Sequence, residues 1–227
     1  MDYAFEPQAR TTLPVVGGKP FPVRRIYCVG RNYAAHAREM GSDPDREPPF
    51  FFCKPADAIV ANHGVMPYPQ ATKSLHHEIE LVVALGKGGR DVPVERALDL
   101  VFGYAVGLDM TRRDLQQAAR EIGRPWDMGK AFDHSAPCTP IHPVSKVGHI
   151  DKGAIWLKVN GQTRQTSDVS ALIWSVPETI SHLSGLVTLA PGDLIYSGTP
   201  DGVAAVVKGD RLEGFVEGLE TLSVTIG

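Results

Sequence analysis

Residues 75–85 read LHHEIELVVAL, the start of a buried strand that carries two carboxylates set two apart. Side chains alternate faces along a strand. Glu78 and Glu80 therefore point one way, with Val82 and Ala84 beyond them, while Ile79, Leu81, Val83 and Leu85 fill the other face. Two like charges on one side cost free energy unless something positive lies between them. Two arrangements satisfy this: a bound cation, or an edge strand on which both acids stay solvated.

The chain has 227 residues, 43% of them hydrophobic, and a formal net charge of −3, which is enough for one sizeable core. It has no long run of one sign, so nucleic acid is not an expected partner and no acidic tail is indicated. The opening residues MDYAFEPQARTTLPVVGG lack a basic stretch followed by an apolar one. No segment approaches the roughly 20 apolar residues of a membrane helix. A cytoplasmic protein with no membrane partner is expected. Cys28, Cys53 and Cys138 are odd in number, far apart and without a C-x-x-C pair, so they read as buried free thiols rather than a disulfide framework or a thiolate zinc site.

Residues 1–23 carry Pro7, Pro14, Pro20 and Pro22 and suggest an N-terminal arm laid over a single domain of residues 24–227. RRIYCVG (24–30) reads as a strand. RNYAAHAREMG (31–41) reads as a short helix, with Asn32 as N-cap and Gly41 as its stop. SDPDREPP then breaks regular structure and is a candidate mobile loop leading into FFFCKP. DLVFGYAVGLDM (99–110) is a second apolar strand. TRRDLQQAAREIG (111–123) fits a helix capped by Thr111 and closed by Gly123. AIWLKVNG, QTRQTS, DLIYSGTP and ETLSVTI follow as strand candidates, and VPETISHLSGLV alone among them has helical spacing. The expected class is α+β, dominated by strands.

If Glu78 and Glu80 form half a cation site, Asp109, at the end of the run GYAVGLD, is the natural third ligand. Three crowded carboxylates cannot all stay ionised without a cation. Hard oxygen donors select Mg²⁺, Mn²⁺ or Ca²⁺ over Zn²⁺. On the other reading, Asp109 caps the next helix. His76 and His77 do not form H-E-x-x-H and point to opposite faces, so they read as supporting residues and not zinc ligands. GKGGRD and SGTPDG match no phosphate loop and read as turns. His36 and Glu39, three apart on one helical face, are equipped as an oriented general base, or form a surface pair. Lys130, amid Trp126, Met128 and Phe132, is a snorkelling lysine or an active-site cation.

The strings GRNYAAHAREMG, PPFFFCKP, LHHEIELVVALGKGGRDV, GYAVGLDMTRRDLQ, GRPWDMGKAFD, LKVNGQTRQ and PGDLIYSGTPDGV resemble the fumarylacetoacetate hydrolase family, nearest its short acylpyruvate-hydrolase branch, over about residues 24–226. The resemblance implies a mixed β-roll with short helices. It also implies a homodimer, and a lid near the N-terminal end that orders on ligand binding. It makes Glu78, Glu80 and Asp109 the Mg²⁺ or Mn²⁺ ligands, Lys130 the active-site lysine, and His36 with Glu39 the lid dyad. Arg113 and Gln116 match residues that hold the 2-oxo acid end of a small-molecule substrate, and Thr199 matches a residue lining that end. The resemblance leaves the distal carboxylate of a fumaryl substrate unassigned; Arg31, beside the lid helix, is preferred for it over Arg112. The implied reaction is hydrolysis of a carbon–carbon bond in a 3-acylpyruvate, fumarylpyruvate to fumarate and pyruvate in gentisate breakdown. Two alternatives stand: decarboxylation or isomerisation of oxaloacetate or an oxo-enoic diacid, and a non-catalytic metal-binding protein.

Overall fold

The strand Ile79–Leu85 is buried along its whole length and sits in the middle of the molecule, not at an edge. In the computed structural model, which describes residues 3–34 and 47–227, it belongs to an eight-stranded mixed sheet. The sheet runs β4 (Phe50–Lys54), β3 (Arg25–Gly30), β15 (Asp193–Tyr196), β8 (Ile79–Leu85), β9 (Val101–Leu108), β11 (Ala136–Cys138) and β5 (Ile59–Ala61), with β12 (His142–Pro143) paired to β9. β3 with β15 and β11 with β5 are parallel; the central pairs are antiparallel.

The alternation read from the sequence divides two cores. Ile79, Leu81, Val83 and Leu85 pack into the larger cluster, while Val82 and Ala84 enter a second cluster behind the sheet. A five-stranded sheet covers the larger core: β14 (Gln162–Asp168), β13 (Ala154–Val159), β17 (Arg211–Val216), β18 (Leu222–Ile226) and β6 (Val65–Met66). Its inward residues, among them Leu157, Leu212 and Val224, share that core. On the opposite face the ribbon of β1 (Thr12–Leu13) and β2 (Phe21–Pro22) brings Leu13, Val15 and Phe21 against Cys28 and Tyr196. A three-stranded sheet, β10 (Thr111–Arg112), β7 (Leu75–His76) and β16 (Ala205–Val206), closes the end that carries the acids. The architecture is a strand-dominated α+β roll. A continuous apolar run is what a strand needs when both its faces meet protein. Each such side chain contributes about 1.5–3 kcal/mol.

One helix start differs from the sequence expectation. The helix Arg113–Glu121 has Arg112 as its N-cap and no side-chain cap. Thr111 lies in β10 instead, and its hydroxyl donates to the Asp109 carbonyl oxygen, 3.0 Å away. Asn32, whose expected helix lies mostly outside the described residues, is held by long-range bonds. Its amide donates to the carbonyl oxygens of Trp174 and Ser197 and accepts from the Trp174 N–H. Lys130 Nζ donates to the Thr111 hydroxyl at 2.7 Å, so both side chains have long-range partners. Gly123 does close its helix, at φ 66°. The helix Val176–Leu186 starts where Glu178 accepts from both the N–H and the hydroxyl of Ser175. Cys28 and Cys138 are buried, but Cys53 is exposed, because it lies on the outer side of β4. No described helix is long and apolar enough to cross a membrane.

Gly107 stands opposite Glu80 in the β8–β9 register. A Cβ there would meet the Tyr196 ring and Val82, both at 2.6 Å. Gly107→Ala should therefore lower stability by about 1–3 kcal/mol through overpacking. Urea unfolding of the purified variant measures this, and an unchanged midpoint would mean that Tyr196 and Val82 yield freely.

Candidate active site

Antiparallel pairing brings the acids together. Ile79 stands opposite Leu108 at one end of the β8–β9 ladder, so Glu78, just before β8, and Asp109, just after β9, leave that end side by side. The Asp109 N–H donates to the Glu78 carbonyl oxygen at 2.9 Å. Glu80, the second residue of β8, faces the same way as Glu78. All three carboxylates are buried, at 4, 2 and 1% exposure for Glu78, Glu80 and Asp109. One oxygen from each lies within 4.8 Å of the others. The solvated-edge reading is thereby excluded.

Three cations face the three acids. Lys130, at the end of the short helix Asp127–Lys130, donates to Glu78 Oε2 at 2.7 Å, Asp109 Oδ2 at 2.6 Å and Thr111 Oγ1 at 2.7 Å. Arg113 donates to Glu78 Oε1 and, at 2.5 Å, to Gln116 Oε1. Lys54, at the end of β4, lies 2.8 Å from Asp109 Oδ1 and donates to the carbonyl oxygens of Met110 and Lys130 at 3.0 and 2.5 Å. Its approach to Asp109 Oδ1 is an ion-pair contact with no directed hydrogen bond, which leaves that oxygen's lone pairs open. Burial alone would lower the pKa of Lys130, but Asp109 and Glu78 outweigh it and the pKa is raised. Lys130 is a fixed positive charge, unsuited to act as a base at neutral pH.

Glu80 differs from its neighbours because it accepts its hydrogen bond from a neutral group, the Gly198 N–H at 2.8 Å. Burial first, and then the charges of Asp109 and Glu78, push its pKa well above the ordinary carboxylate value. A divalent cation among the three would remove that strain. The donor set fits one: three hard oxygens, with neither His76 nor His77 among them. His76 Nε2 meets Ser74 Oγ at 3.1 Å and His77 Nδ1 meets Gln165 Oε1 at 2.9 Å. This chemistry suits Mg²⁺, Mn²⁺ or Ca²⁺ and disfavours Zn²⁺.

The acids open into a cleft whose walls include Arg31, Gln116, Trp126 and Thr199. Arg31 sits at φ 56°, a left-handed backbone that an arginine rarely adopts and that places its guanidinium 5.5 Å over the Phe50 ring. Arg112 is not in this cleft; its guanidinium lies 4.4 Å over Phe132. His36, Glu39 and most of the expected lid lie outside the described residues. Three contributors escaped the sequence reading: Lys54, the backbone N–H of Gly198, and Gln165. Lys54, the one basic residue after three phenylalanines, left a signal. The SGTP stretch, expected as a turn, is irregular chain without an assigned turn, and its Gly198 N–H supplies the hydrogen bond to Glu80.

A family model described as "Fumarylacetoacetate (FAA) hydrolase C-terminal" matches residues 25–227. The chain is 49% identical over 190 residues to a fumarylpyruvate hydrolase of a Ralstonia species, covering 83% of this chain and 98% of that one. It is 42% identical over 203 residues to the mitochondrial oxaloacetate tautomerase FAHD1 of Homo sapiens, covering 89% and 91%. The crystal structure of fumarylpyruvate hydrolase from Pseudomonas aeruginosa in complex with Mn²⁺ and pyruvate superposes with a TM-score of 0.97 at 57% identity, covering 99% of each chain.

Because the folded state holds the Glu80 proton to higher pH than the unfolded chain does, metal-free stability should fall as pH climbs from the ordinary carboxylate range toward the raised value. Metal affinity should rise over the same span, since binding displaces that proton. Titration of Mn²⁺ by calorimetry at several pH values tests both trends together with thermal melting. Glu80→Gln should abolish most of the Mn²⁺-induced rise in Tm and flatten the pH dependence. An undiminished rise in Glu80→Gln would remove Glu80 from the ligand set.

Proposed function

The chain belongs to the fumarylacetoacetate hydrolase family, and we propose that it is a metal-dependent hydrolase splitting the carbon–carbon bond of a 3-acylpyruvate, with fumarylpyruvate giving fumarate and pyruvate. The observation that carries this reading is the buried triad Glu78, Glu80 and Asp109 at the floor of a cation-lined cleft. The relatives named above support it. A place in gentisate breakdown, a cytoplasmic location and a homodimer go with this reading.

When bound, the divalent ion supplies Lewis-acid polarisation of the substrate's carboxylate and 2-oxo group. The chain's own residues do the rest. Arg113, braced by Gln116 and Glu78, presents its remaining N–H groups to the substrate carboxylate. Gln116 Oε1 is occupied by Arg113, so its amide nitrogen is left to donate into the cleft. Water attacks the distal carbonyl and gives its proton to His36, which Glu39 orients; these two roles rest on the sequence resemblance alone. The carbon–carbon bond then breaks toward the pyruvate side, and its electron pair becomes an enolate beside Lys130. A fixed ammonium in a dry site stabilises that charge without reorganising. Protonation of the enolate carbon completes pyruvate, and the acyl fragment leaves as a carboxylic acid.

Arg31, lining the cleft with its guanidinium over Phe50, takes the distal carboxylate of a fumaryl substrate. A second reading, keto–enol interconversion of oxaloacetate, has a specific support in the human relative; it needs the metal and Lys130 but no attacking water. Comparing kcat/KM on fumarylpyruvate, acetylpyruvate and oxaloacetate with Mg²⁺ separates the two readings, and a preference for oxaloacetate would reverse their order.

Arg31→Gln should cost fumarylpyruvate much more than acetylpyruvate, which lacks the distal carboxylate. A charge-assisted hydrogen bond corresponds to roughly 10- to 100-fold in kcat/KM. Equal losses on both substrates would remove Arg31 from acyl recognition. His36→Ala should lower kcat for hydrolysis by about 10² to 10⁴ while leaving oxalate and Mn²⁺ binding nearly intact. A variant whose oxalate affinity falls as far as its kcat would place His36 in ligand binding instead.

A further inference from the structure

Gln165 lies in β14, on the edge of the five-stranded sheet, yet its side chain reaches the metal-ligand strand and is fully buried. Its four contacts use the whole capacity of an amide. Oε1 accepts from the Ile79 N–H at 3.2 Å and lies 2.9 Å from His77 Nδ1. Nε2 donates to Thr199 Oγ1 and to the Pro200 carbonyl oxygen, both at 2.8 Å. The two backbone partners have fixed polarity. An amide N–H at one end and a carbonyl at the other permit only one orientation of the Gln165 amide.

That orientation decides where a proton goes two bonds away. Thr199 Oγ1 receives the Gln165 N–H, so its own proton is not used in this contact. Among the described residues Thr199 donates to no protein acceptor. Thr199 lines the cleft with Arg113 and the three acids. We infer that Gln165 is a positioning residue: by occupying the acceptor side of the Thr199 hydroxyl it turns the hydroxyl proton into the cleft, making Thr199 a dedicated donor to the carboxylate of the 2-oxo acid. This rests on the reading that the cleft binds a 2-oxo acid. With Leu or Met at position 165 the hydroxyl would be free to rotate, and a ligand carboxylate would have to order it at its own cost. A donor held ready in advance avoids that cost.

The test is a double-mutant cycle on the Mn²⁺-loaded protein, with oxalate as the probe, read as its Kd by calorimetry and as its inhibition constant against fumarylpyruvate. Thr199→Val removes the donor and Thr199→Ser retains it. Gln165→Met removes all four amide contacts. Gln165→Glu keeps an acceptor for Ile79 and His77 and changes only the end that meets Thr199 and the Pro200 carbonyl, so it serves if Gln165→Met fails to fold, as judged by thermal melting. In the Thr199 protein each Gln165 variant should weaken oxalate by roughly 10-fold or more, a value set by a hydrogen bond to a charged group. In the Thr199→Val background the same change should cost less than about 2-fold, since no hydroxyl remains to orient. Thr199→Ser should behave like the parent protein. Equal losses in both backgrounds would overturn the proposal and leave Gln165 as a brace for Ile79, as would no loss in either. If Thr199→Val leaves oxalate binding unchanged while Arg113→Gln weakens it, the cleft still binds the 2-oxo acid but Thr199 is not its donor, and the inference fails separately from the function. If neither change matters, the functional reading itself fails.

Discussion

Three carboxylates withdrawn from water within one coordination sphere of each other constrain everything around them. Each buried ion carries a desolvation penalty of several kcal/mol, which partners repay only when geometry is good. The chain meets this with Lys54, Lys130 and Arg113, drawn from three separate segments. Thr111 and the Gly198 N–H add further hydrogen bonds. Removing one cation would leave an uncompensated buried charge, a loss of the kind measured at roughly 3–5 kcal/mol. Even so, Glu80 keeps a pKa well above normal, because its burial and its two acidic neighbours outweigh the Gly198 hydrogen bond and the more distant Lys130. The residual imbalance is what a divalent cation would correct.

Such a cluster requires a rigid support. It is placed at one end of β8 and β9, a pair held between two cores, so neither strand can shift without repacking both faces. Gly107 allows Tyr196 and Val82 to close against the ladder opposite Glu80. β14 reaches across from the second sheet through Gln165 to Ile79 and Thr199. The site thus joins both sheets.

These relations explain what the sequence revealed and what it concealed. The period of two in LHHEIELVVAL was enough to divide residues between two cores, since strand geometry allows no other assignment once the run is buried on both faces. Asp109 was legible because an acid ending an apolar strand must find a partner. Thr111 and Asn32 looked like caps because short polar residues at helix starts usually serve locally. Here Lys130, 19 residues on, and Trp174, 142 residues on, bind them instead. Lys54 and Gln165 work over 76 and 88 residues, and no local pattern encodes such a pairing. β17 went unnoticed since its run RLEGFV is interrupted by Gly214, which packs against Ile79. The expected dyad, His36 with Glu39, was read from helical spacing and family resemblance, and it lies outside the described residues.

The same floor can serve hydrolysis and keto–enol exchange because both pass through an enolate beside a fixed cation. Nothing in Glu78, Glu80, Asp109 or Lys130 distinguishes them. Discrimination must come from groups that deliver water and from groups that measure the substrate's far end. On the proposed reading Arg31 belongs to the second kind. Its left-handed backbone, at φ 56°, costs of order 1–3 kcal/mol for a residue with a side chain, and the structure keeps it while a glycine, Gly30, stands next to it at an ordinary strand position. The guanidinium meets the Phe50 face and feels the charge of Glu47; on the proposed reading a ligand carboxylate completes this site, and an acyl group ending in a carboxylate is favoured over one ending in a methyl. That preference for a dianion favours fumarylpyruvate over acetylpyruvate without help from the metal centre.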